Sequence, residues 1–391
     1  MLVIHSRYRS GAASGENRVV EDELRLLASA GHDVASWLPE PEVDGLARVR
    51  TGISAIWSRS AVNRLRQLID DSRPDVIHVH NLFPVLSPAV IRVSHDAGVP
   101  VLLTLHNYRL LCAAGTLLRE GRICEKCVGR SLWRAVPYRC YRTSASGSAA
   151  LALSLATHRR IGTFEMVTRF LAVSAFVREK HLEAGLDPTR IVVKPNFAWP
   201  TGVREGAGEY FLYVGRLSAE KGVDVLLETW RTFERPPRLV IVGDGPDMAR
   251  LRQAAPAGIT FVGAVAPADV SRLLRNARAL VAPSKSYEGC PRVVMEAYAA
   301  GVPVLGSRLG ALPEFVDEGV TGYLAAPGDV REWRGIIAAL GDDALSLKLG
   351  RSARRMWARE YTPARALSRL EEIYALAAGI LPPPEESIEA P

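Results

Sequence analysis

A repeating order of short apolar runs and amphipathic stretches runs through this chain, halts near residue 200 and begins again, and nothing else in the sequence constrains the fold as tightly. Leu2–His5 reads as a strand, Gly15–Ala30 as a helix and Asp33–Trp37 as a second strand; Val76–His80 and Val99–Leu105 continue the series with an apolar helix between them. Strands that alternate with helices build a parallel sheet covered on both faces. After the polar, Gly- and Pro-containing stretch 196–208 the order restarts, with strands expected at Phe211–Val214, Leu239–Val242, Ile259–Val262, Ala279–Ala282 and Val302–Leu305, and helices from Val223 and Arg292. The economical reading is two Rossmann-like parallel α/β/α domains, residues 1–198 and 199–360. A ligand then belongs in the cleft between them, facing the carboxyl ends of the strands.

Residues 331–379 are helical in pattern and broken at Tyr361-Thr-Pro363, so 361–379 is expected as a last helix that packs back on the first domain. The Pro- and Glu-rich residues 380–391 have no periodicity and are expected to be disordered. With 48% apolar and 23% charged residues in 391, the composition is that of a globular protein and excludes collagenous or wholly disordered chains. No apolar run approaches the roughly 20 residues of a membrane span. The N-terminus lacks a basic n-region and a cleavage site, which places the expected location in the cytoplasm.

The formal charge is +7, and the cations are mostly Arg, with Lys only at 126, 180, 194, 221, 285 and 348. Arg suits bidentate contact with phosphate and carboxylate, although base composition of the genome produces the same bias. No basic arm with interleaved aromatics is present, which disfavours nucleic acid.

Three constellations carry chemistry. In Glu288-Gly-Cys-Pro-Arg-Val-Val-Met-Glu296, one carboxylate sits in a loop after a strand and the other about one turn inside the next helix. The free amides of Arg292 and Val293 at that helix start form an anion site that the two carboxylates can bracket if the ligand is also rich in hydroxyls; a capped surface helix with solvated acids is the alternative. In Tyr213-Val-Gly215-Arg216-Leu-Ser-Ala-Glu-Lys221-Gly222, two cations follow a strand end and suit a diphosphate. In Ser10-Gly11-Ala-Ala-Ser14-Gly15-Glu16, a glycine-rich turn lets amides approach phosphate oxygens, but it matches neither the P-loop nor the dinucleotide fingerprint. Gly243-Asp-Gly245-Pro246 reads as a turn.

Taken in order, the glycine loop, Thr104-Leu-His106, Val193-Lys-Pro-Asn196, Gly215-Arg-x4-Lys221, Val242-Gly-Asp-Gly-Pro246, Phe261-Val-Gly263-x-Val265 and Glu288-x7-Glu296 resemble the family 4 glycosyltransferases, retaining enzymes of the GT-B fold. The resemblance implies a nucleoside-diphosphate sugar (UDP- or GDP-type) as donor and a hydroxyl acceptor on a saccharide, lipid-linked glycan or small molecule. It implies that Arg216 and Lys221 hold the diphosphate, helped by amides of Gly15, Arg292 and Val293. Glu296 then takes the ribose, Glu288 the donor sugar near C3, the backbone around Val265 the base, and His106 the sugar near its reacting carbon. Charge building on the leaving phosphate is stabilised electrostatically in a closed cleft. No second carboxylate is placed as a nucleophile, which favours front-face transfer over double displacement. The absence of Asp-x-Asp at a strand end agrees with chemistry that requires no metal cofactor. Two other readings compete: a nucleotide-sugar epimerase of the same fold, and a non-catalytic nucleotide-sugar-binding protein.

Four of the five cysteines stand in an Arg-rich insertion at 107–142, as Cys112-x11-Cys124-x2-Cys127-x12-Cys140. In a reducing compartment they suit a structural zinc or an iron–sulfur set better than disulfides, with a redox pair or four unlinked thiols as alternatives. Cys290 is expected to have no redox role. Tyr8, Arg9, Asn107, Tyr108 and Arg109 are candidate acceptor contacts, whereas Asn17 and Arg18 read as surface or capping residues. The helix around Leu151–Arg160 is a candidate for resting on a membrane surface, its apolar run Ala149–Ala156 fitting a core equally well.

Overall fold

The computed structural model describes residues 1–8, 14–41 and 54–381. Arg9, the first part of the glycine loop (10–13) and all of the expected tail except Ile380 and Leu381 lie outside the described residues.

The first half supplies β1 (Leu2–His5), β2 (Ala35–Trp37), β3 (Ile77–Asn81) and β4 (Val101–Leu105), then the two-residue strands β5 (Leu118–Arg119) and β6 (Arg122–Ile123) of a small hairpin, then β7 (Arg169–Ala172) and β8 (Ile191–Val193). The hairpin apart, these form one parallel sheet in the order β2-β1-β3-β4-β7-β8. The second half builds a like sheet from β9 (Tyr210–Val214), β10 (Leu239–Val242), β11 (Ile259–Gly263), β12 (Ala277–Ala282), β13 (Val304–Ser307) and β14 (Gly322–Ala325), in the order β11-β10-β9-β12-β13-β14 and again parallel throughout. Central strands such as β4 and β10 are buried along their whole length. That is why they read as continuous apolar runs rather than as alternation. Several helices start where the sequence offers a cap: Ser14 accepts from the Asn17 amide at 3.3 Å, Ser174 from Val177 at 3.1 Å and Thr362 from Arg365 at 3.3 Å.

The stretch between the sheets is packed. Phe197 is buried with Leu26 and Ala366, the Trp199 indole donates to Asp22 at 3.0 Å, and the buried Arg204 guanidinium donates to the carbonyls of Ala207, Ala277 and Arg278. The last helix, Pro363–Ala377, lies on the first sheet, where Leu370 and Tyr374 join Leu27, Val76, Leu102 and Leu171. The chain thus runs from one sheet to the other and returns. Leu370 is fully buried in that contact. Leu370→Ala is therefore expected to lower the unfolding free energy by about 2–5 kcal/mol. Urea denaturation followed by circular dichroism checks this, and a loss below about 0.5 kcal/mol would mean that the helix is not anchored there.

Candidate active site

The site grows from the carboxyl ends of both sheets. β9 ends at Val214, and the following loop is held by backbone contact with the turn after β10: Gly215 N–H donates to Val242 O at 3.0 Å and Leu217 N–H to Asp244 O at 2.9 Å. A Cβ on Gly243 would come within 1.9 Å of Gly215 O, and one on Gly245 within 2.2 Å of Leu217 O. The Gly243-Asp-Gly245 turn is thus the buttress of the loop that carries Arg216 and Lys221. Gly222 closes the loop with a φ of 71° against Pro283 O, a conformation that favours glycine. Lys221 Nζ reaches Glu288 Oε1 at 2.7 Å, and Ser284 Oγ donates to the same oxygen. Burial pushes the Glu288 carboxyl up, but Lys221 and the hydrogen bonds from Lys221 and Ser284 outweigh it and hold the group below its ordinary value. Arg216 is exposed and makes no ion pair among the described residues.

The second carboxylate behaves differently. The helix Arg292–Ala299 has no side-chain cap at its start, and the Arg292 guanidinium bridges Glu296 at 2.8 Å and Asp22 of the first half at 3.0 Å. Burial raises Glu296, and Arg292 opposes the shift. The two halves also meet where Glu314 accepts from the Ala175 amide at 2.8 Å and from the Phe176 amide, and where Asn196 donates to Cys290 O at 2.9 Å. Gly15 opens the first helix, and a Cβ there would meet nothing within 4 Å. Val265 and Val293 are half-buried against the second core.

On the first sheet, His106 lies just past β4 with its carbonyl 3.4 Å from where a Cβ of Gly289 would stand, so it faces the loop of Glu288. Behind it is a buried chain that the sequence reading missed. His106 Nε2 is 2.9 Å from His80 Nδ1, His80 Nε2 is 3.5 Å from Glu23 Oε2, and the other Glu23 oxygen pairs with Lys194. His78 is spanned by Tyr374 OH and Thr104 Oγ1, each at 2.7 Å. Burial pushes His106 and His78 down to about 3 and His80 well below its ordinary value, so all three are neutral at physiological pH. The signal was present in β3: His78 and His80, two residues apart on a strand, point to one face.

One expectation, the role of Asn17, needs correction, and the other candidates can be placed in the fold. Asn17 is no surface cap: its Oδ1 accepts from His5 Nε2 at 2.9 Å and from the Tyr8 amide at 3.2 Å, tying the first helix to the end of β1. Arg109 donates to Ala113 O at 2.6 Å within the insertion, Asn107 donates to Glu16 at 2.8 Å, and Tyr108 is buried. The apolar side of the helix Ala145–Arg160 is core: Leu151, Ala152 and Leu155 are buried, and Ser154 donates to Ala55 O at 2.6 Å. No helix among the described residues is long and apolar enough to cross a membrane. The four cysteines of the insertion are free thiols, and no three of their sulfurs lie within 4.8 Å of one another. Burial and the neighbouring thiols push Cys127 up to about 11. Cys290 is buried and rises to about 12.

Two family models match in sequence: Glycosyltransferase Family 4 over residues 13–198 and Glycosyl transferases group 1 over 208–343. The chain is a family 4 glycosyltransferase. It is 28% identical to the glycogen synthase of Mycobacterium tuberculosis over 96% of this chain and 86% of that one. Among solved structures it resembles sucrose-phosphate synthase from Thermosynechococcus elongatus (TM-score 0.71, 18% identity, 97% of this chain and 99% of that one). It also resembles Anabaena HepE, solved in complex with UDP (TM-score 0.65, 16% identity, 96% and 99%). The two-sheet architecture of this glycosyltransferase is the GT-B fold. In it the two cations of the β9 loop, the Glu288 loop and His106 converge on one cleft.

The Lys221–Glu288 pair has a pH signature. Because Glu288 is held below its ordinary 4.5, its contribution to stability is present above that pH and is lost as pH falls through the lowered value. In Glu288→Gln the fall of thermal midpoint on acidification below pH 4.5 is expected to be shallower than in the wild type. Identical slopes in differential scanning calorimetry would mean that the pair adds nothing.

Proposed function

We propose that the enzyme transfers a sugar from a nucleoside-diphosphate donor of UDP or GDP type to a hydroxyl acceptor with retention at the anomeric carbon. The observation that carries this is the loop after β9, where Arg216 makes no ion pair among the described residues and Lys221 is already balanced by Glu288. Phosphate oxygens brought to Arg216 complete its hydrogen bonds. They also draw on Lys221 and on the uncapped amides of Arg292 and Val293. Glu288 accepts from sugar hydroxyls, Glu296 from the ribose, and the backbone near Val265 meets the base. The bond from C1 to the diphosphate oxygen breaks as the acceptor oxygen joins C1 on the same face, and the acceptor's proton passes to the leaving phosphate. Arg216 and Lys221 stabilise the charge that accumulates there. The acceptor class and pathway fit cell-surface polysaccharide, glycolipid or secondary-metabolite synthesis alike. Intact Arg216, Lys221, Glu288 and His106 favour this reading over a binding protein, and the Arg216 and Lys221 cations together with Glu288 and Glu296 favour it over an epimerase.

Thermal-shift measurements with UDP, GDP, UDP-glucose and GDP-mannose test the donor site. One nucleotide series is expected to stabilise the protein selectively, with Lys221→Ala and Arg216→Ala losing the shift and at least about 10²-fold of transfer. Full activity in Lys221→Ala would end the assignment.

For the insertion we propose a structural zinc on Cys112, Cys124, Cys127 and Cys140. Burial and then the neighbouring thiols raise Cys127 and Cys140, a cost that a metal would relieve, and the backbone carries left-handed non-glycine residues at Leu117, Glu120, Arg139, Arg142 and Thr143. Side-chain rotation must first draw the sulfurs together. About one zinc per chain by plasma emission spectrometry, lost in Cys124→Ser with UDP or GDP binding retained, is the expected result. Metal-free protein of undiminished stability would exclude it.

A further inference from the structure

The buried chain behind His106 has a direction. His80 Nε2 and Glu23 Oε2 face each other at 3.5 Å, and neither has another hydrogen-bond partner. If His80 carried its proton on Nδ1, its bare Nε2 lone pair would face a carboxylate oxygen in a buried pocket, leaving two acceptors opposed and unsatisfied. With the proton on Nε2, His80 donates to Glu23 and its Nδ1 must accept. Among the described residues the only atom offered to that Nδ1 is His106 Nε2, at 2.9 Å, which therefore carries the proton of His106. A doubly protonated His80 is disfavoured by its complete burial beside the rings of His78 and His5, whose centroids lie 4.1 and 6.4 Å away. Lys194 pairs with Glu23 from the other side, and burial lowers its ammonium to about 7.

We infer that Glu23 and His80 are positioning residues that fix His106 in its Nε2–H tautomer, so that the bare Nδ1 of His106 meets the bound sugar as a hydrogen-bond acceptor and selects a hydroxyl that can donate to it. This rests on the transferase reading for the identity of the ligand, but the tautomer itself does not. The consequence for the reaction is electrostatic. As C1 becomes oxocarbenium-like, the negative end of a neutral imidazole dipole faces it, and no proton is available from that ring to compete for the leaving oxygen. The arrangement follows the logic of a carboxylate that orients a histidine, extended by one ring.

Glu23, His78 and His80 also lie close enough, their ligand atoms within 4.8 Å of one another, to suggest a metal site. Their partners argue against it. Both nitrogens of His78 are taken by Tyr374 and Thr104, and a cation on Glu23 would have to displace the buried ammonium of Lys194.

The test is long-range ¹H–¹⁵N correlation on the full-length protein labelled in its histidines, without ligand. His106 is expected to show a protonated Nε2 and an unprotonated Nδ1. In Glu23→Gln the amide oxygen should turn to Lys194 and the amide NH₂ to His80, which reverses His80 and moves the His106 proton to Nδ1. Should Glu23→Gln not fold, His80→Phe removes the acceptor, and His106 should become a mixture of tautomers. A wild-type His106 protonated on Nδ1, or unchanged His106 shifts in the variant that folds, would overturn the inference. The donor that stabilises the wild type among UDP-glucose and GDP-mannose should then lose about 10²-fold in turnover in the same variant while free diphosphate binds as before. If neither nucleotide sugar binds the wild type, the transferase assignment fails while the tautomer result stands.

Discussion

The ion pair between Glu23 and Lys194 is the interaction on which the rest of this molecule depends. Both side chains are almost wholly buried, so neither charge survives without the other: removing one partner of a buried pair typically costs about 3–5 kcal/mol. The pair joins the first helix to the end of β8, where the chain leaves the first sheet for the second. Its neighbour in sequence, Asp22, points elsewhere on the same helix and meets Arg292 across the cleft at 3.0 Å. Successive residues on a helix are about a third of a turn apart. Two consecutive acids therefore serve two partners, one within the first half and one in the second. Trp199 in the connecting stretch closes the set by donating to Asp22. The helix that begins at Gly15, next to the expected phosphate position, is thereby held from both sides.

A parallel sheet places every strand's carboxyl end on one edge. Two such sheets with their edges opposed produce a cleft whose walls come from different sequences, and the walls differ in charge. The second sheet brings Arg216, Lys221 and Arg292, of which Lys221 and Arg292 already hold carboxylates at 2.7 and 2.8 Å. Neutralised cations do not repel one another, so the pocket is assembled before an anion arrives. The Gly243-Asp-Gly245 turn makes this possible by bringing backbone to backbone under the Arg216 loop, an approach that side chains would block.

The sheets, their order of strands and helices and the place of the cleft were legible in the sequence, because strands buried on both faces leave continuous apolar runs and the turn residues between them are strongly biased. The places of Arg216, Lys221, Glu288 and Glu296 at strand and helix ends were legible, because each sits at a fixed distance from such an end; their proposed roles rest on the resemblance. The roles of Glu23, His80 and Lys194 were not legible. They are separated by 57 and 114 residues along the chain and become neighbours only through sheet packing, which leaves no local periodicity. Asn17 was misread for a related reason: an amide at the third position of a helix looks like a cap until the end of β1 is brought beside it. The insertion resisted both readings, since two-residue strands and isolated turns carry almost no pattern.

The contrast between the two walls bears on how labour is divided in the proposed reaction. Diphosphate gains negative charge as the glycosidic bond stretches, and cations with hydrogen-bond donors are the groups that stabilise it. The sugar ring gains positive charge at the same moment, and a cation beside it would raise the barrier. At that wall the protein offers His106, which burial keeps neutral down to about pH 3, backed by further neutral rings. The buried Lys194 is separated from it by the carboxylate of Glu23 and the imidazole of His80. A lysine or arginine in place of His106 would supply donors but also a permanent positive charge. An imidazole whose single proton is directed inward supplies a lone pair and no charge, and this requires that its orientation be set from behind. The buried chain is therefore not incidental packing of polar groups in a core: it gives the sugar-facing wall the opposite electrostatic character from the phosphate-facing one.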